Sequence, residues 1–284
     1  MPRDYNLSRS QIEQYLRDGY LHIPFEEHQI AQPNELQAWT NEVKSWPYES
    51  GKWLCYEEPS LDGKQQLFRT EAFVEYHPEF DQLLRGGVIG NILKQLSGDE
   101  MLLFKEKINY KLPNSNGFKA HLDAPAYDHI GRVNHLTVNI AVDEATVANG
   151  CLEVVPGSHN VNVKLAPGEG GRVAEDWEAS AHWVSLPLKP GDIVLFGSHL
   201  AHRSAPNKTD HSRASVYATY SRKQDGTDLR ERYYADRRAT FPPHYDRKPG
   251  EDYGAGMLRY GFHYFEKSAT RTAMFPAKEA TTST

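Results

Sequence analysis

The sequence is poor in several features that would place a protein in a specialised class. Its 284 residues include only two cysteines, Cys55 and Cys151, too few for a disulfide framework or a zinc knuckle. No run of about 18 apolar residues occurs, so no membrane-spanning helix is expected. The N-terminal segment MPRDYN is followed by no apolar stretch of the kind that a secretory signal needs. We therefore expect a protein of the reducing cytoplasm.

An excess of basic charge is also missing. The 32 Lys and Arg residues are outnumbered by 38 Asp and Glu, giving a net charge of −6, and nucleic-acid binders usually carry a basic face. Apolar residues at 39% and charged residues at 25% are typical of a globular chain. The length fits one β-rich domain spanning residues 1–284. Thirteen histidines is a high number and gives the first indication of chemistry.

The N-terminal hundred residues are rich in helical spacing. The spacing predicts helices at 8–18 after a Ser8 cap, at 34–46 after an Asn34 cap, and at 79–96, where Gly86 and Gly87 weaken the pattern. The second and third of these helices either cover a β-structured core or form the interface of a homodimer. We favour the covering role.

From residue 101 the pattern changes to short apolar and β-branched runs separated by Gly, Pro, Asn and Asp. Runs such as HLTVNIAVD, DIVLF and ASVYATY predict the strands of a sandwich or barrel over residues 101–221. Residues 222–265 are dense in Arg, Tyr and His and have weak periodicity. A long irregular segment of this kind is typical of an active-site lid or a substrate-binding segment. The alternative is a solvated surface loop.

The sharpest local motif is His121-Leu122-Asp123, which follows a predicted strand and a turn. Residues two apart in a strand point the same way, so an imidazole and a carboxylate can face one point. A third histidine from elsewhere in the chain would complete the two-histidine, one-carboxylate set that holds Fe(II) with open positions. On its own, this motif is more often structural than metal-binding.

Downstream residues supply the missing ligand. A predicted buried strand, DIVLF, is followed by His199 and His202, and either can be the third ligand. Arg213 then begins another β-rich run, with Ser215 on the same face of the strand. An arginine fork pairs bidentately with a carboxylate, and a serine hydroxyl adds a donor. Taken alone, Arg213 would as readily form an ordinary salt bridge at the end of a strand.

Several segments between about residues 8 and 222 together resemble the phytanoyl-CoA dioxygenase family of Fe(II)/2-oxoglutarate-dependent oxygenases. They are Gln11-Ile12 through Arg17-Asp18-Gly19-Tyr20-Leu21, His121-Leu122-Asp123, Asn149-Gly150-Cys151-Leu152, Pro156-Gly157-Ser158-His159, Pro190-Gly191-Asp192 through Phe196, and His202-Arg203-Ser204-Ala205-Pro206-Asn207. Within the family, FKEKINYKLPNSNGFKAHLDAPAY is similar to the subgroup that acts on 2-aminoethylphosphonate.

The resemblance implies a mainly β fold with flanking helices, a double-stranded β-helix of the jelly-roll or cupin-like kind. It implies Fe(II), 2-oxoglutarate and O2 as cofactor and co-substrates. His121, Asp123 and His202 would hold the iron, and Arg213 the distal carboxylate of 2-oxoglutarate. His202 is preferred to His199 because its sequence context matches the family. The carboxylate of Asp123 favours hydroxylation, desaturation or cyclisation over halogenation.

Further residues are assigned to the site with less support. Alternating polar side chains on two predicted strands would line a site only if they face the barrel interior, and a solvated sheet face is the alternative. We assign Ser215, Lys107 and Thr137 to 2-oxoglutarate together with Arg213. The substrate pocket is assigned Asn109, Asn139, Tyr127, His199 and Arg238.

The expected activity is oxidation of an aliphatic C–H bond in a small polar substrate such as an aminophosphonate or amino acid, releasing succinate and CO2. One alternative is a tailoring oxygenase that acts on a terpenoid or peptide secondary metabolite. A more remote alternative is a non-catalytic jelly-roll binding protein that keeps the motifs by descent. A metal-independent sugar-modifying cupin would not explain Arg213. No nucleic-acid or membrane partner is expected.

Overall fold

A computed structural model describes residues 5–59, 65–131 and 133–261. The helices are α1 (Arg9–Asp18), α2 (Phe25–His28), α3 (Pro33–Ser45), α4 (Pro78–Leu84), α5 (Gly87–Ser97), α6 (Glu175–Ser180), α7 (Leu229–Thr240) and α8 (Gly254–Gly256). The strands are β1 (Tyr20–Ile23), β2 (Leu54–Pro59), β3 (Gln65–Glu71), β4 (Met101–Lys111), β5 (Phe118–His121), β6 (Leu136–Ala141), β7 (Leu152–Val154), β8 (Val184–Leu186), β9 (Ile193–Gly197), β10 (His202–Ser204) and β11 (Arg213–Arg222). Among the described residues, no helix is both long and apolar enough to cross a membrane.

The strands form two antiparallel sheets. The larger has seven strands in the order β1-β9-β6-β11-β4-β3-β2, and the smaller has four in the order β5-β10-β7-β8. Strands β4, β6, β9 and β11 lie in the larger sheet and β5, β7, β8 and β10 in the smaller, so the chain crosses repeatedly between the two sheets, as in a double-stranded β-helix. The prediction of a mainly β fold with flanking helices is confirmed.

The N-terminal helices follow the sequence signals with two differences. Ser8 caps α1 and Gly19 ends it in the left-handed conformation, as predicted. The Asn34 cap is wrong, because Gln32 and Glu35 form the capping box and Pro33 occupies the first turn of α3.

The helix predicted at 79–96 is two helices, α4 and α5. At their junction, a Cβ added to Gly86 would lie 2.0 Å from the carbonyl oxygen of Gln82, so the chain turns where only glycine fits. The break therefore falls at the glycine pair that weakened the predicted helix.

One face of the larger sheet, here called the outer face, is apolar and covered by α1, α3, α4 and α5. Ile108, Val138, Ile140, Leu195 and Val216 on this face are at most 1% exposed. They belong to one cluster with helix residues such as Leu36, Val43, Phe80 and Ile92. Helices α3 to α5 therefore bury their apolar sides against the sheet, in the covering role that the sequence favoured.

The opposite face, here called the inner face, looks toward the smaller sheet. The pairing of β4 with β11 shifts register where Thr219 faces Lys105 and Tyr220 faces Leu103. Phe104 is the extra residue of this bulge, and both Phe104 and Lys105 contact the ring of Tyr127. The bulge thus turns two consecutive side chains toward the inner face.

Residues 223–261 follow the last strand and contain α7 and a helical turn, Met257–Gly261. Tyr233 and Arg237 of α7 are at most 2% exposed, because Tyr233 packs against Phe104 of β4 and Arg237 against Tyr56 of β2. Residues 262–265, the end of the segment predicted as a lid, lie outside the described residues.

Candidate active site

Polar side chains on the inner face fall into cross-strand rows. The antiparallel register places Lys107, Tyr217 and Asn139 in one row, and Lys105, Thr219 and Thr137 in the next. Asn109 and Ser215 form a third row, and Lys111 and Arg213 a fourth. Most of these side chains are buried, so the inner face is polar in spite of its burial. Burying polar groups costs free energy unless they form hydrogen bonds or ion pairs. A buried polar face of this kind is therefore expected where a ligand supplies the partners.

The smaller sheet brings the two histidines together. His121 ends β5 and pairs directly with His202 at the start of β10, and their ring centroids are 4.1 Å apart. Asp123 is not on the strand with His121, as the sequence suggested, but begins the following 3-10 turn. The turn still directs its carboxylate to the histidines, with Oδ1 3.8 Å from Nε2 of His121. Ligand atoms of the three residues all lie within 4.8 Å of one another.

The hydrogen bonds of the histidines define their donor atoms. Nδ1 of His121 is 2.7 Å from the carbonyl oxygen of Lys119, and Nδ1 of His202 is 2.9 Å from that of Leu200. A carbonyl oxygen only accepts, so each Nδ1 carries the proton and each Nε2 carries the lone pair. Two neutral imidazoles held in this way, with one carboxylate, form a donor set that fits Fe(II).

The charge state of the donor set also suits a cation. Burial by itself raises the pKa of Asp123, but the nearby His202 and Lys105 outweigh burial, and its pKa lies well below the usual range. Burial lowers the pKa of His202. The carboxylate is therefore ionised and the imidazole neutral near pH 7, which are the forms that bind a metal.

Arg213 lies at the first position of β11 and is 7% exposed. Its Nε donates to the carbonyl oxygen of Asn149 at 3.2 Å, its Nη1 donates to Oγ of Ser215 at 3.1 Å, and its Nη2 donates to the carbonyl oxygen of Gly150. Within the described ranges no carboxylate lies at ion-pair distance from it. A buried guanidinium with only neutral partners fits the carboxylate of a ligand such as 2-oxoglutarate.

The other residues assigned to 2-oxoglutarate or the pocket lie on the same face. Lys107 is partly buried, with Nζ 5.2 Å from the centroid of the Tyr217 ring. The hydroxyls of Thr137 and Thr219 are 3.0 Å apart, so Thr137 is engaged within the sheet. Asn109 accepts from Nε of Arg69 at 2.9 Å. Oδ1 of Asn139 is buried and has no hydrogen-bond partner among the described residues.

Of the remaining pocket residues, Tyr127 is brought to the triad, whereas His199 and Arg238 are not. The hydroxyl of Tyr127 donates to Oδ1 of Asp123 at 3.4 Å. His199 is exposed and lines a surface groove with Tyr15 and Arg222. Arg238 is partly exposed and donates to the carbonyl oxygen of Lys52.

The neighbouring arginine, Arg237, was missed in the sequence and is 2% exposed. Its Nη2 is 2.8 Å from Oε1 of Glu71, and its guanidinium lies between 4.6 and 4.8 Å from the ring centroids of Tyr56, Phe241 and Tyr260. Glu71 also accepts from Arg69 at 3.2 Å. The spacing Leu229, Tyr233, Arg237 marks the buried stripe of α7 and could have identified Arg237.

The fold and the triad together describe a non-haem iron oxygenase, and comparison with known proteins agrees. The family model described as Phytanoyl-CoA dioxygenase (PhyH) matches residues 15–215. The chain belongs to this family and is a non-haem Fe(II)/2-oxoglutarate-dependent dioxygenase.

Three relatives resemble most of the chain. The dioxygenase lolE1 of Epichloe uncinata is 40% identical over 84% of this chain and 91% of its own. The methylphosphonate hydroxylase of Gimesia maris is 38% identical over 83% and 88%. The 2-aminoethylphosphonate dioxygenase of the uncultured bacterium HF130_AEPn_1 is 36% identical over 89% and 96%.

Among solved structures, EctD from S. alaskensis, crystallised with 2-oxoglutarate and 5-hydroxyectoine, is similar in fold. It has a TM-score of 0.66 at 22% identity, and the match covers 79% of each chain. The double-stranded β-helix is therefore shared with this protein, although little of the sequence is.

Proposed function

We propose that this protein oxidises an aliphatic C–H bond of a small anionic substrate, with an aminophosphonate as the first candidate. His121, Asp123 and His202 hold the iron, and Arg213 with Ser215 holds the distal carboxylate of 2-oxoglutarate. The observation that carries the proposal is the convergence of the three ligand atoms within 4.8 Å, facing a sheet that carries a buried arginine without an acidic partner among the described residues. Bound Fe(II) and 2-oxoglutarate together supply the oxidising power for an unactivated C–H bond.

The substrate class is supported by the lining and by the relatives. Lys105, Lys107 and Asn139 give the inner face a polar and cationic character that suits a small anion better than a bulky apolar metabolite. Two of the relatives described above act, by their names, on phosphonates. A tailoring role on a terpenoid or peptide is therefore the second choice.

We propose further that the described chain is one catalytic domain in which residues 222–261 form a fixed wall of the site. Three arginines fasten α7 to the β structure. Arg230 pairs with Glu106 at 2.6 Å, Arg237 pairs with Glu71, and Arg238 donates to the backbone carbonyl oxygen of Lys52. A wall fastened by buried charges suits a substrate-binding segment better than a lid.

A cytoplasmic location fits the two cysteines. Cys55 and Cys151 are both buried and unpaired, and free thiols persist in a reducing compartment.

An anaerobic titration tests the function. Metal-free protein is mixed with Fe(II) and then with 2-oxoglutarate, and the visible absorption is followed. We expect a weak charge-transfer band that requires both additions, is absent in His202→Ala, and needs about 10- to 100-fold more 2-oxoglutarate in Arg213→Ala, because a charge-assisted pair is lost. A folded protein that gives no band would refute the proposal. Unchanged 2-oxoglutarate affinity in Arg213→Ala would refute the assignment of that arginine.

A further inference from the structure

The inner face has a second cationic end, far from Arg213. Lys111 pairs with Arg213 in the register of β4 and β11, whereas Lys105 lies six residues earlier on β4 and pairs with Thr219. At about 3.3 Å per residue, these two rows are about 20 Å apart. Tyr127, whose ring Lys105 contacts, donates to Oδ1 of Asp123, so the Lys105 end of the sheet also borders the triad. A ligand bound through Arg213 therefore leaves the Lys105 end for a different molecule.

Lys105 is buried without an acid of its own. It is 8% exposed, and its Nζ lies 4.3 Å from the ring centroid of Tyr127 and 5.7 Å from that of Tyr233. Within the described part of the chain it makes no ion pair or hydrogen bond. Of the two carboxylates that act on it, Asp123 is a proposed iron ligand and Glu71 is already engaged by two arginines. Because burying an ammonium costs several kcal/mol, this arrangement favours an anionic ligand that completes it.

His135 adds a second unused polar group at the same place. It is 2% exposed, and neither of its ring nitrogens has a hydrogen-bond partner among the described residues. Its ring centroid lies 4.6 Å from that of Phe104 and 5.1 Å from that of Tyr127, the ring that Lys105 also contacts. Burial, with the charge of Lys105, lowers the pKa of His135 to about 4. The imidazole is therefore neutral near pH 7 and retains one N–H to donate.

We propose that Lys105 and His135 form the substrate-recognition subsite of this enzyme and bind the phosphonate dianion of the substrate. This inference rests on the function proposed above and adds the groups that select the substrate. The subsite is surrounded by Phe104, Tyr127 and Tyr233. The hydrogen bond from the Tyr127 hydroxyl to Asp123 connects it to the iron ligands.

A dianion suits the subsite better than a carboxylate. Lys107 is two residues from Lys105 on the same face, and burial together with the charges of Arg69 and Lys105 holds its pKa well below the usual range. Burial likewise lowers the pKa of Lys105 to about 8. Two basic side chains on one face of β4 match the two charges of a phosphonate, whereas a single charge compensates one of them.

The test compares three ligands that share an aminoethyl chain: 2-aminoethylphosphonate, 2-aminoethanesulfonate and 3-aminopropanoate. Zn(II) replaces Fe(II), because it takes the same kinds of ligand and permits binding without turnover. Calorimetry on the protein with Zn(II) and 2-oxoglutarate gives the affinities. We expect the phosphonate to bind at least about tenfold more tightly than either monoanion. Equal affinities for the phosphonate and the carboxylate would overturn the preference for a dianion.

Variants assign the groups. Lys105→Met should weaken phosphonate binding by about 10- to 100-fold, and His135→Leu by about 2- to 10-fold, with 2-oxoglutarate affinity unchanged in both. Lys164→Met, at an exposed lysine, is the matched control and should bind as wild type. Unchanged phosphonate affinity in Lys105→Met would overturn the subsite. Loss of 2-oxoglutarate affinity in the same variant would show that Lys105 binds 2-oxoglutarate and not the substrate.

A second readout uses the wild type alone, in case Lys105→Met does not fold. Phosphorus NMR of 2-aminoethylphosphonate on the diamagnetic Zn(II) protein gives the second phosphonate pKa. We expect it to fall by at least one unit on binding, because a cationic subsite favours the dianion. An unshifted pKa would overturn the inference. Binding of 2-oxoglutarate is measured separately. If the protein bound no 2-oxoglutarate, the proposed function itself would be wrong, and not only the subsite.

Discussion

The two faces of the larger sheet use the same strands for opposite purposes. Along β6, Val138 and Ile140 point to the outer face and pack under helices, whereas Thr137 and Asn139 point to the inner face and the triad. The outer face supplies the apolar burial that stabilises the fold, and the inner face carries buried polar groups that cost stability. Through its alternation, one strand therefore places the side chains that stabilise the fold and those that line the site on opposite sides of the sheet.

The largest effect that the comparison predicts is on the site itself. Asp123→Ala removes the only carboxylate of the donor set and should abolish succinate formation and iron binding. The variant should stay folded but unfold at a lower temperature than the wild type, because the lowered pKa of Asp123 means that the folded state stabilises the ionised carboxylate. Succinate release by the folded variant at the wild-type rate would show that the triad is misassigned.

Glu71 is a charged residue on the inner face that stabilises the fold. Glu71→Ala leaves Arg69 and Arg237 facing each other in a buried position, and should lower the free energy of unfolding by about 3–5 kcal/mol. Urea unfolding measures the change. The control is Glu13→Ala, which breaks an exposed pair with Arg9 and should cost less than about 1 kcal/mol. Similar losses in both variants would contradict the special position of Glu71.

Adjacent residues of β6 should differ in their effect on stability, because they point to opposite faces of the sheet. Ile140→Ala on the outer face removes a fully buried side chain and should cost about 2–5 kcal/mol in unfolding free energy. Asn139→Ala on the inner face removes an amide whose oxygen lacks a described partner, and should change stability by less than about 1 kcal/mol. Urea unfolding of both variants is the measurement, and equal losses would break the distinction between the faces.

A final prediction concerns the response of stability to acid, and it falls outside the inner face. Burial lowers the pKa of His28 from 6.5 to about 4, although the nearby Asp192 opposes the shift. Below pH 6.5 the His28 imidazole binds a proton in the unfolded chain but stays neutral in the folded chain. The free energy of unfolding therefore falls as the pH drops from 6.5 to 4, by up to about 3 kcal/mol.

His28→Asn isolates this contribution. Asparagine keeps an acceptor for the backbone N–H of Ile30, which now donates to Nδ1 at 3.3 Å, but it does not titrate. Urea unfolding from pH 7 to pH 4 should therefore be flatter for the variant than for the wild type. Parallel curves would show that other groups cause the loss in acid.

Sequence reasoning reached the fold because the strands of residues 101–221 carry clear alternation, and it named the three residues that converge on one point. It could not place Asp123, since the HxD spacing suggests one strand whereas the carboxylate comes from the turn after it. It chose Arg238 instead of Arg237 because, where several arginines lie close together in the sequence, their spacing alone does not show which one lies on the buried side of the helix. His135 had no local signal, since its isolation is a property of the surrounding packing.

The bulge at Phe104 has a consequence for how this sequence can change. Before it, the inward side chain on β4 has an even number, and after it, from Lys105 to Lys111, the inward side chains have odd numbers. The boundary between side chains that face the site and side chains that pack under the helices therefore shifts by one position within a single strand. A family member that lost one residue there would keep its iron ligands and reverse the inside and outside of the N-terminal end of β4.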